Sequence, residues 1–413
     1  MHVRRSTIKI ATRALWLVTL MALGLVALAG CGSDDPTTVP VAPAATATTA
    51  PPTATLEPGK PTPVPKATSA ATAVPPRDFI SHWKGKTVVI SVGYSPGGGA
   101  DAMARMLAIH LPKFIPGNPR IVVKNRPGGG TSLNARDMLQ RPADGTYLGQ
   151  FAQGLMVKGV MGQGEDWFKW DDYNYLGMVD GAQEASITPV CGRADKMSNL
   201  DDFLNGGPWK WGDISPDTTG GVQMNWFKLI DIPEDIYFGF GGSAEVAAAF
   251  DRGEMDLTTR CNPTYAKTYP HWFENNEVIP LFAWGNLDPD VQIPADSPLA
   301  DGMRDGRWPW FGDMHETLKD RATPEQFAAF DAFTALGGTH VWALPPGVPD
   351  DIVKVLEDAF WETVNSAGYL EDMTIRERMV APLSGDDTRA RIQTMQDLPP
   401  LGKAVLEKMT GGG

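Results

Sequence analysis

Apolar positions divide the chain into three zones. From Ala14 to Ala29 they are almost continuous (ALWLVTLMALGLVALA), and from about Ser33 to Pro76 large side chains all but vanish. After about residue 85, short apolar runs alternate with one-sided ones. In this third zone Lys86 to Tyr94 (KTVVISVGY) is short and β-branched and predicts a buried strand. Ala102 to Leu111 (AMARMLAIHL) carries one apolar face and predicts a helix. Arg120 to Lys124 predicts a second strand, Leu133 to Gln140 a second helix and Thr146 to Phe151 a third strand. Strand, turn and helix repeated at this spacing predict a parallel, doubly wound sheet.

The first zone has the build of an export signal. Arg4, Arg5, Lys9 and Arg13 precede the apolar run with no acid among them, and the run is shorter than the roughly 20 residues a membrane span needs. It ends in Leu28-Ala29-Gly30-Cys31, similar to a bacterial lipobox. Residues 1–30 are therefore expected to be a signal peptide and Cys31 the lipidated first residue of the mature chain, an uncleaved N-terminal anchor being the alternative. Arg4-Arg5 partly resembles a twin-arginine signal, which leaves the export route open. Residues 31–78 then read as a tether: Pro, Thr, Ala and Val bury too little apolar surface to order the chain. About 40 such residues, at about 3.1 Å each, reach on the order of 100 Å.

Charge and cysteine content narrow the function. Loss of the signal takes the net charge from −13 to −17, which argues against nucleic acid and anionic membrane as partners. A local cluster of amides can still hold an anion. Outside the cytoplasm Cys191 and Cys261 are available for a disulfide worth roughly 2–5 kcal/mol, or are two separate buried thiols. The six histidines share no metal-ligand spacing, and neither a metal nor another cofactor is expected.

Candidate chemistry lies in two glycine-rich turns, Ser95-Pro96-Gly97-Gly98-Gly99-Ala100-Asp101 and Asn125-Arg126-Pro127-Gly128-Gly129-Gly130-Thr131-Ser132. Each follows a strand and opens a helix, where unpaired amides suit a carboxylate or phosphate. Ligands of doubly wound sheets bind at these carboxyl ends. Gly93-Tyr94-Ser95-Pro96-Gly97 also fits the nucleophile elbow of hydrolases, but Pro96 lacks the N–H that an oxyanion hole needs after the serine. Gly97, Gly99 and Ala102 fit a dinucleotide fingerprint, yet Lys124 and Asn125 stand where an acid should meet the ribose.

The paired turns, with ADGTYLG after them, FGGSAEVAAAFDRGEMDL (Phe240 to Leu257) and WALPPGVPDDIVKVLEDAFWETVNS (Trp342 to Ser366), resemble the Bug (TctC-like) family. These are extracytoplasmic solute receptors of tripartite tricarboxylate transporters. The resemblance implies an α/β, periplasmic-binding-protein type II-like fold of two lobes with doubly wound sheets joined by a hinge. Lobe 1 is expected at 79–186 and 286–413 and lobe 2 at 187–285, with crossings near Ile187–Cys191 and Pro280–Gly285. It implies a monomer that binds a small organic carboxylate, works with membrane permease subunits and is not an enzyme. The contacts it assigns are Ser95, Gly97, Gly98, Gly99 and Asp101, then Gly128, Gly129, Gly130, Thr131 and Ser132, and Tyr94 beside them is a candidate to stack on the ligand, as are Trp167 and Trp170. In lobe 2 they are Thr218, Thr219, Gly220, Gly242, Ser243 and Asn262. Asp101 is open to a second role as a helix cap. The DTTGG turn of lobe 2 departs from the family's Gly-Ser pattern. A sensory receptor presenting the same ligand to a signalling partner, and a hydrolase using Ser95, are the alternatives.

Overall fold

The computed structural model describes residues 77–163, 168–181, 188–284, 315, 318–335, 340–376, 378 and 380–411. The signal segment, Cys31, the tether up to residue 76, Trp167, Ile187 and Gly285 lie outside them. The chain divides into Met1–Ala73 and Val74–Gly413, and all the described residues belong to the second unit.

The expected strand–turn–helix repeat opens that unit. After α1 (Phe79–Trp83) come β1 (Thr87–Val92), α2 (Gly99–His110), β2 (Arg120–Asn125), α3 (Ser132–Met138), β3 (Tyr147–Ala152), α4 (Gln153–Val160) and β4 (Asn174–Met178). α2 buries Ala100, Met103, Ala104, Met106, Leu107 and His110, the 3–4 spacing of one helix face. β3 is buried along its whole length, as a central strand covered on both faces should be.

A second series follows: β5 (Thr188–Arg193), α5 (Leu200–Asn205), β6 (Trp209–Asp213), α6 (Thr219–Leu229), β7 (Glu234–Phe238), α7 (Ser243–Asp251), β8 (Leu257–Thr258), α8 (Pro263–Thr268), α9 (His271–Glu274) and β9 (Val278–Trp284). The last elements are α10 (Pro324–Ala335), β10 (His340–Leu344), α11 (Asp350–Val364), α12 (Ala367–Ile375), β11 (Leu383–Ser384), α13 (Gly385–Thr394) and α14 (Pro400–Met409).

The strands form two sheets, ordered β11-β4-β10-β3-β1-β2 and β7-β6-β8-β5-β9. The parallel core β3-β1-β2 is the expected doubly wound unit. The rest of that sheet is not parallel: β10 runs antiparallel to both β3 and β4, and β11 antiparallel to β4. In the second sheet β6 is parallel to β7 and β8, while β5 is antiparallel to β8 and β9. Cys191 on β5 and Cys261 beyond β8 are joined by a disulfide, Cα atoms 6.2 Å apart, between two fully buried residues.

One hydrophobic cluster runs through both sheets. It includes Tyr147, Phe151 and Met156 from the first and Trp211, Val222 and Phe227 from the second. Two helices of the 286–413 segment close it over α6. Trp226 Nε1 donates to the Gln326 carbonyl at 3.0 Å, and Asn225 Nδ2 to the Met409 carbonyl at 2.8 Å. Thus α10 and α14 lie against a helix of the second sheet, although their segment is expected in lobe 1.

Candidate functional site

At the end of β1 the chain turns through Gly97 at φ +90°, a left-handed value that favours glycine. Asp101, in the first turn of α2, reaches back and holds this loop. Its carboxylate accepts from the Gly97 amide at 3.0 Å, Arg105 Nε and Nη2 at 2.9 Å each, and Asn125 Nδ2 at 3.0 Å. Burial raises its pKa, but the hydrogen bonds from Arg105, Gly97 and Asn125 outweigh it and hold the group below the usual aspartate value. The Asp101 carboxylate is thus taken up by the Gly97 loop, Arg105 and Asn125. Gly98 caps α2 without a side-chain hydrogen bond, so the first amides of that helix keep their donors.

The second turn differs from the expected open anion cradle. Gly128, Gly129, Gly130 and Thr131 have φ of +133°, +57°, +58° and +79° in succession, the last strained for a β-branched residue. Two of its amides are engaged locally, Thr131 N–H and Leu133 N–H donating to the Gly128 carbonyl at 3.2 and 3.5 Å. Thr131 is fully buried, and its hydroxyl accepts the Ala152 amide at 2.9 Å. Asn134 Nδ2 donates to the carbonyls of Ser91 and Gln150, at 3.2 and 3.0 Å, and so fastens α3 beneath β1 and β3. This turn acts mainly as a wedge; Ser132 at its end is partly exposed.

Two turns of the second sheet face these loops, and a third follows β8. After β6, Thr218 Oγ1 donates to Asp213 Oδ1 at 2.7 Å, and the α6 cap that it forms has no side-chain acceptor. Thr219 and Gly220 begin that helix. Before α7, Glu245 accepts the Gly241 amide at 2.9 Å. After β8, Asn262 does not face the cleft freely: its side chain caps α8 by accepting the Tyr265 amide at 3.3 Å.

The carboxyl ends of the two sheets meet. The Ser95 amide donates to the Gly241 carbonyl at 2.8 Å, and a Cβ on Gly98 would stand 3.5 Å from the Ser243 amide nitrogen. Gly130 lies against Ser215 and Asp217, and Lys158 Nζ of α4 is 3.2 Å from Asp217 Oδ2. Ser95 and Gly97–Gly99 are thus brought to Gly242 and Ser243, and Gly130 to the turn that leads to Thr218–Gly220. Among the described residues Gly128 and Gly129 meet only their own turn, at Leu133 and Ser132. Among the described residues Ser95 Oγ has no histidine partner, so a nucleophile elbow is not assembled.

Tyr94 sits where these turns converge. Burial pushes its phenol far above the usual value, the carboxylates of Asp217 and Asp213 add to this, and Arg260 opposes them. Arg260 Nη2 donates to the fully buried Asp213 at 2.8 Å and Nη1 to Thr259 Oγ1 at 2.6 Å, while its buried Nε has no partner. The Tyr94 and His340 rings meet edge to face at 6.0 Å, and His340 Nδ1 is 3.1 Å from Asp180 Oδ2. Arg378 reaches the start of α2, where a Cβ on Gly99 would lie 2.8 Å from its Nη1. Arg260, His340, Asp180 and Arg378 were absent from the sequence expectation, since none lies in a glycine-rich motif. Among the described residues no three His, Cys, Asp or Glu side chains are grouped to hold a metal ion.

Known structures share this fold. BugD is 14% identical, with a TM-score of 0.55, over 78% of this chain and 97% of its own. The fold is that of the Bug (TctC-like) solute-binding proteins. A Rhodopseudomonas palustris protein solved with adipate is 16% identical, with a TM-score of 0.57, over 80% of this chain and 98% of its own. MatC of the same organism, solved with bound malate, is 16% identical, with a TM-score of 0.53, over 76% and 98%. In sequence, a Cupriavidus necator protein described as a UPF0065 protein in the gbd 5' region is 21% identical over 306 residues, 73% of this chain and 81% of that one. No family model matches the chain. The Bug-type fold carries the two-sheet arrangement that the resemblance implied.

Proposed function

We propose that this chain is the solute-binding component of a tripartite tricarboxylate-type transporter, which captures a small organic carboxylate outside the cytoplasm and hands it to membrane permease subunits. One observation carries the reading: the turns at the carboxyl ends of both sheets abut around Tyr94, with the uncapped starts of α2 and α6 on opposite sides. Helix-start amides and a guanidinium offer donors to an anion, while Asp213 and Asp217 are each held by a cation of the protein, and no covalent step is needed. The malate and adipate held by two proteins of this fold support the same ligand class.

In this reading lobe 1 comprises 79–186 and 286–413, with its α10 and α14 resting on α6 of lobe 2, lobe 2 comprises 187–285, and the sheets close on ligand about the two crossings. Ser95, Gly97–Gly99, Thr218–Gly220, Gly242 and Ser243 line the ligand side, and Cys31 anchors the tether to the membrane by its lipid. A thermal-shift series with mono-, di- and tricarboxylates on the full chain in detergent tests it. A carboxylate at 100 times its dissociation constant should add about 2.7 kcal/mol. Stabilisation by a sugar or an amine, with none by any carboxylate, would overturn the proposal.

A further inference from the structure

Arg378 stands outside every ion pair that the cleft makes. Asp213 is matched by Arg260 and Asp217 by Lys158, Asp180 Oδ2 lies 3.1 Å from His340 Nδ1, and Asp101 is turned towards Gly97, Arg105 and Asn125. Among the described residues the Arg378 guanidinium has neither a hydrogen-bond nor an ion-pair partner, although it is only partly exposed. Burial pulls its pKa below the usual arginine value, with Tyr265 and Asp180 acting against that pull. Its position is fixed from behind, its amide donating to the Met373 carbonyl at 2.9 Å at the end of α12.

The position of this cation is informative. The same Cβ vector of Gly99 that meets Arg378 Nη1 at 2.8 Å meets His340 Cε1 at 3.9 Å. The guanidinium therefore sits at the N-terminus of a twelve-residue helix with no side-chain cap. A helix start carries about half a positive charge, so two like-signed groups face each other with no anion between them. Holding an arginine largely out of water without a partner is also unfavourable. Both costs vanish when a carboxylate enters, because its two oxygens match the guanidinium fork on one side and the helix amides on the other.

We propose that Arg378 and the first amides of α2 form the seat for one carboxylate of the ligand. The seat rests on the receptor reading above and adds a charged anchor to it. The helix supplies directional donors, Arg378 supplies the neutralising charge, and Tyr265 approaches from the second sheet, so occupation links the two sheets.

Calorimetric titration of the full chain in detergent with malate, adipate, hexanoate and neutral adipamide tests this on wild type, Arg378→Gln and Arg378→Lys. For the carboxylates that bind wild type, Arg378→Gln should weaken affinity at least about 30-fold, the size expected when a buried charge pair loses one member. Arg378→Lys should weaken it about tenfold, since an ammonium keeps the charge and loses the fork. Gln-variant affinity within about threefold of wild type would overturn the seat and leave the receptor reading standing. Binding of no carboxylate by wild type would overturn the receptor reading itself, and the seat with it. If Arg378→Gln does not fold by circular dichroism, Arg378→Lys decides: affinity equal to wild type refutes the seat, and a tenfold loss supports it.

Discussion

Replacing Asp101 by asparagine changes one charge and almost no volume. The wild-type carboxylate, 5% exposed, accepts four hydrogen bonds. Arg105 is 51% exposed, so its two bonds are screened by water and contribute about 0.2–1 kcal/mol together. The bonds from the Gly97 amide and Asn125 reach a buried, charged acceptor and contribute about 1.5–3 kcal/mol each before compensation. An asparagine keeps one acceptor oxygen and turns an NH2 towards a donor, so the net loss should be about 2–4 kcal/mol. Thermal unfolding should fall by several degrees, at about 2–4 °C per kcal/mol for a domain approaching this size. The sign of the pH dependence follows from the depressed pKa. The stabilisation is complete above the unfolded aspartate value of about 3.9 and is lost as pH falls through the lower folded value. Wild type and Asp101→Asn should therefore converge only at strongly acid pH. The reasoning fails if Asp101→Asn leaves stability within about 0.5 kcal/mol and tightens anion binding, since a carboxylate facing the ligand would behave that way.

Three other outcomes follow from the packing. A Cβ on Gly154 would lie 1.6 Å from the Asp217 carbonyl oxygen, backbone against backbone, so Gly154→Ala should cost about 3 kcal/mol in chemical denaturation; an unchanged midpoint would mean that the two sheets do not meet there. Cys191→Ala with Cys261→Ala opens a loop spanning 70 residues and should cost roughly 4 kcal/mol by thermal unfolding. The Glu234 carboxylate is buried with both oxygens unpartnered, which holds its pKa well above the usual glutamate value despite Lys228. Its raised pKa makes the folded state less stable as pH rises above the unfolded glutamate range, so Glu234→Gln should stabilise the protein at pH 8 and gain progressively less towards pH 4.

The parts legible in the sequence are the local ones. The glycine turns and the β-branched and one-sided runs placed β1, α2, β2, α3 and β3 to within a few residues, because each element is specified by its own neighbours. The antiparallel insertion of β10 between β3 and β4 was not legible: His340–Leu344 pairs with strands more than a hundred residues earlier, and no local pattern encodes that partner. The site divides similarly. Ser95 and Gly97–Gly99 announced themselves by spacing. Arg378 and His340 reach the same point from distant segments and carry no motif, and Asn262 looked like a ligand group because a cap and a contact use the same residue type.

The most direct test of the account is a crystal structure of the protein with the carboxylate that stabilises it most. The account predicts the ligand between the two sheets beside Tyr94, with a carboxylate group within hydrogen-bond distance of the first amides of α2. A carboxylate found instead in the surface pocket lined by Trp170, Asp386 and Arg389, with the space at Tyr94 occupied only by water, would contradict it.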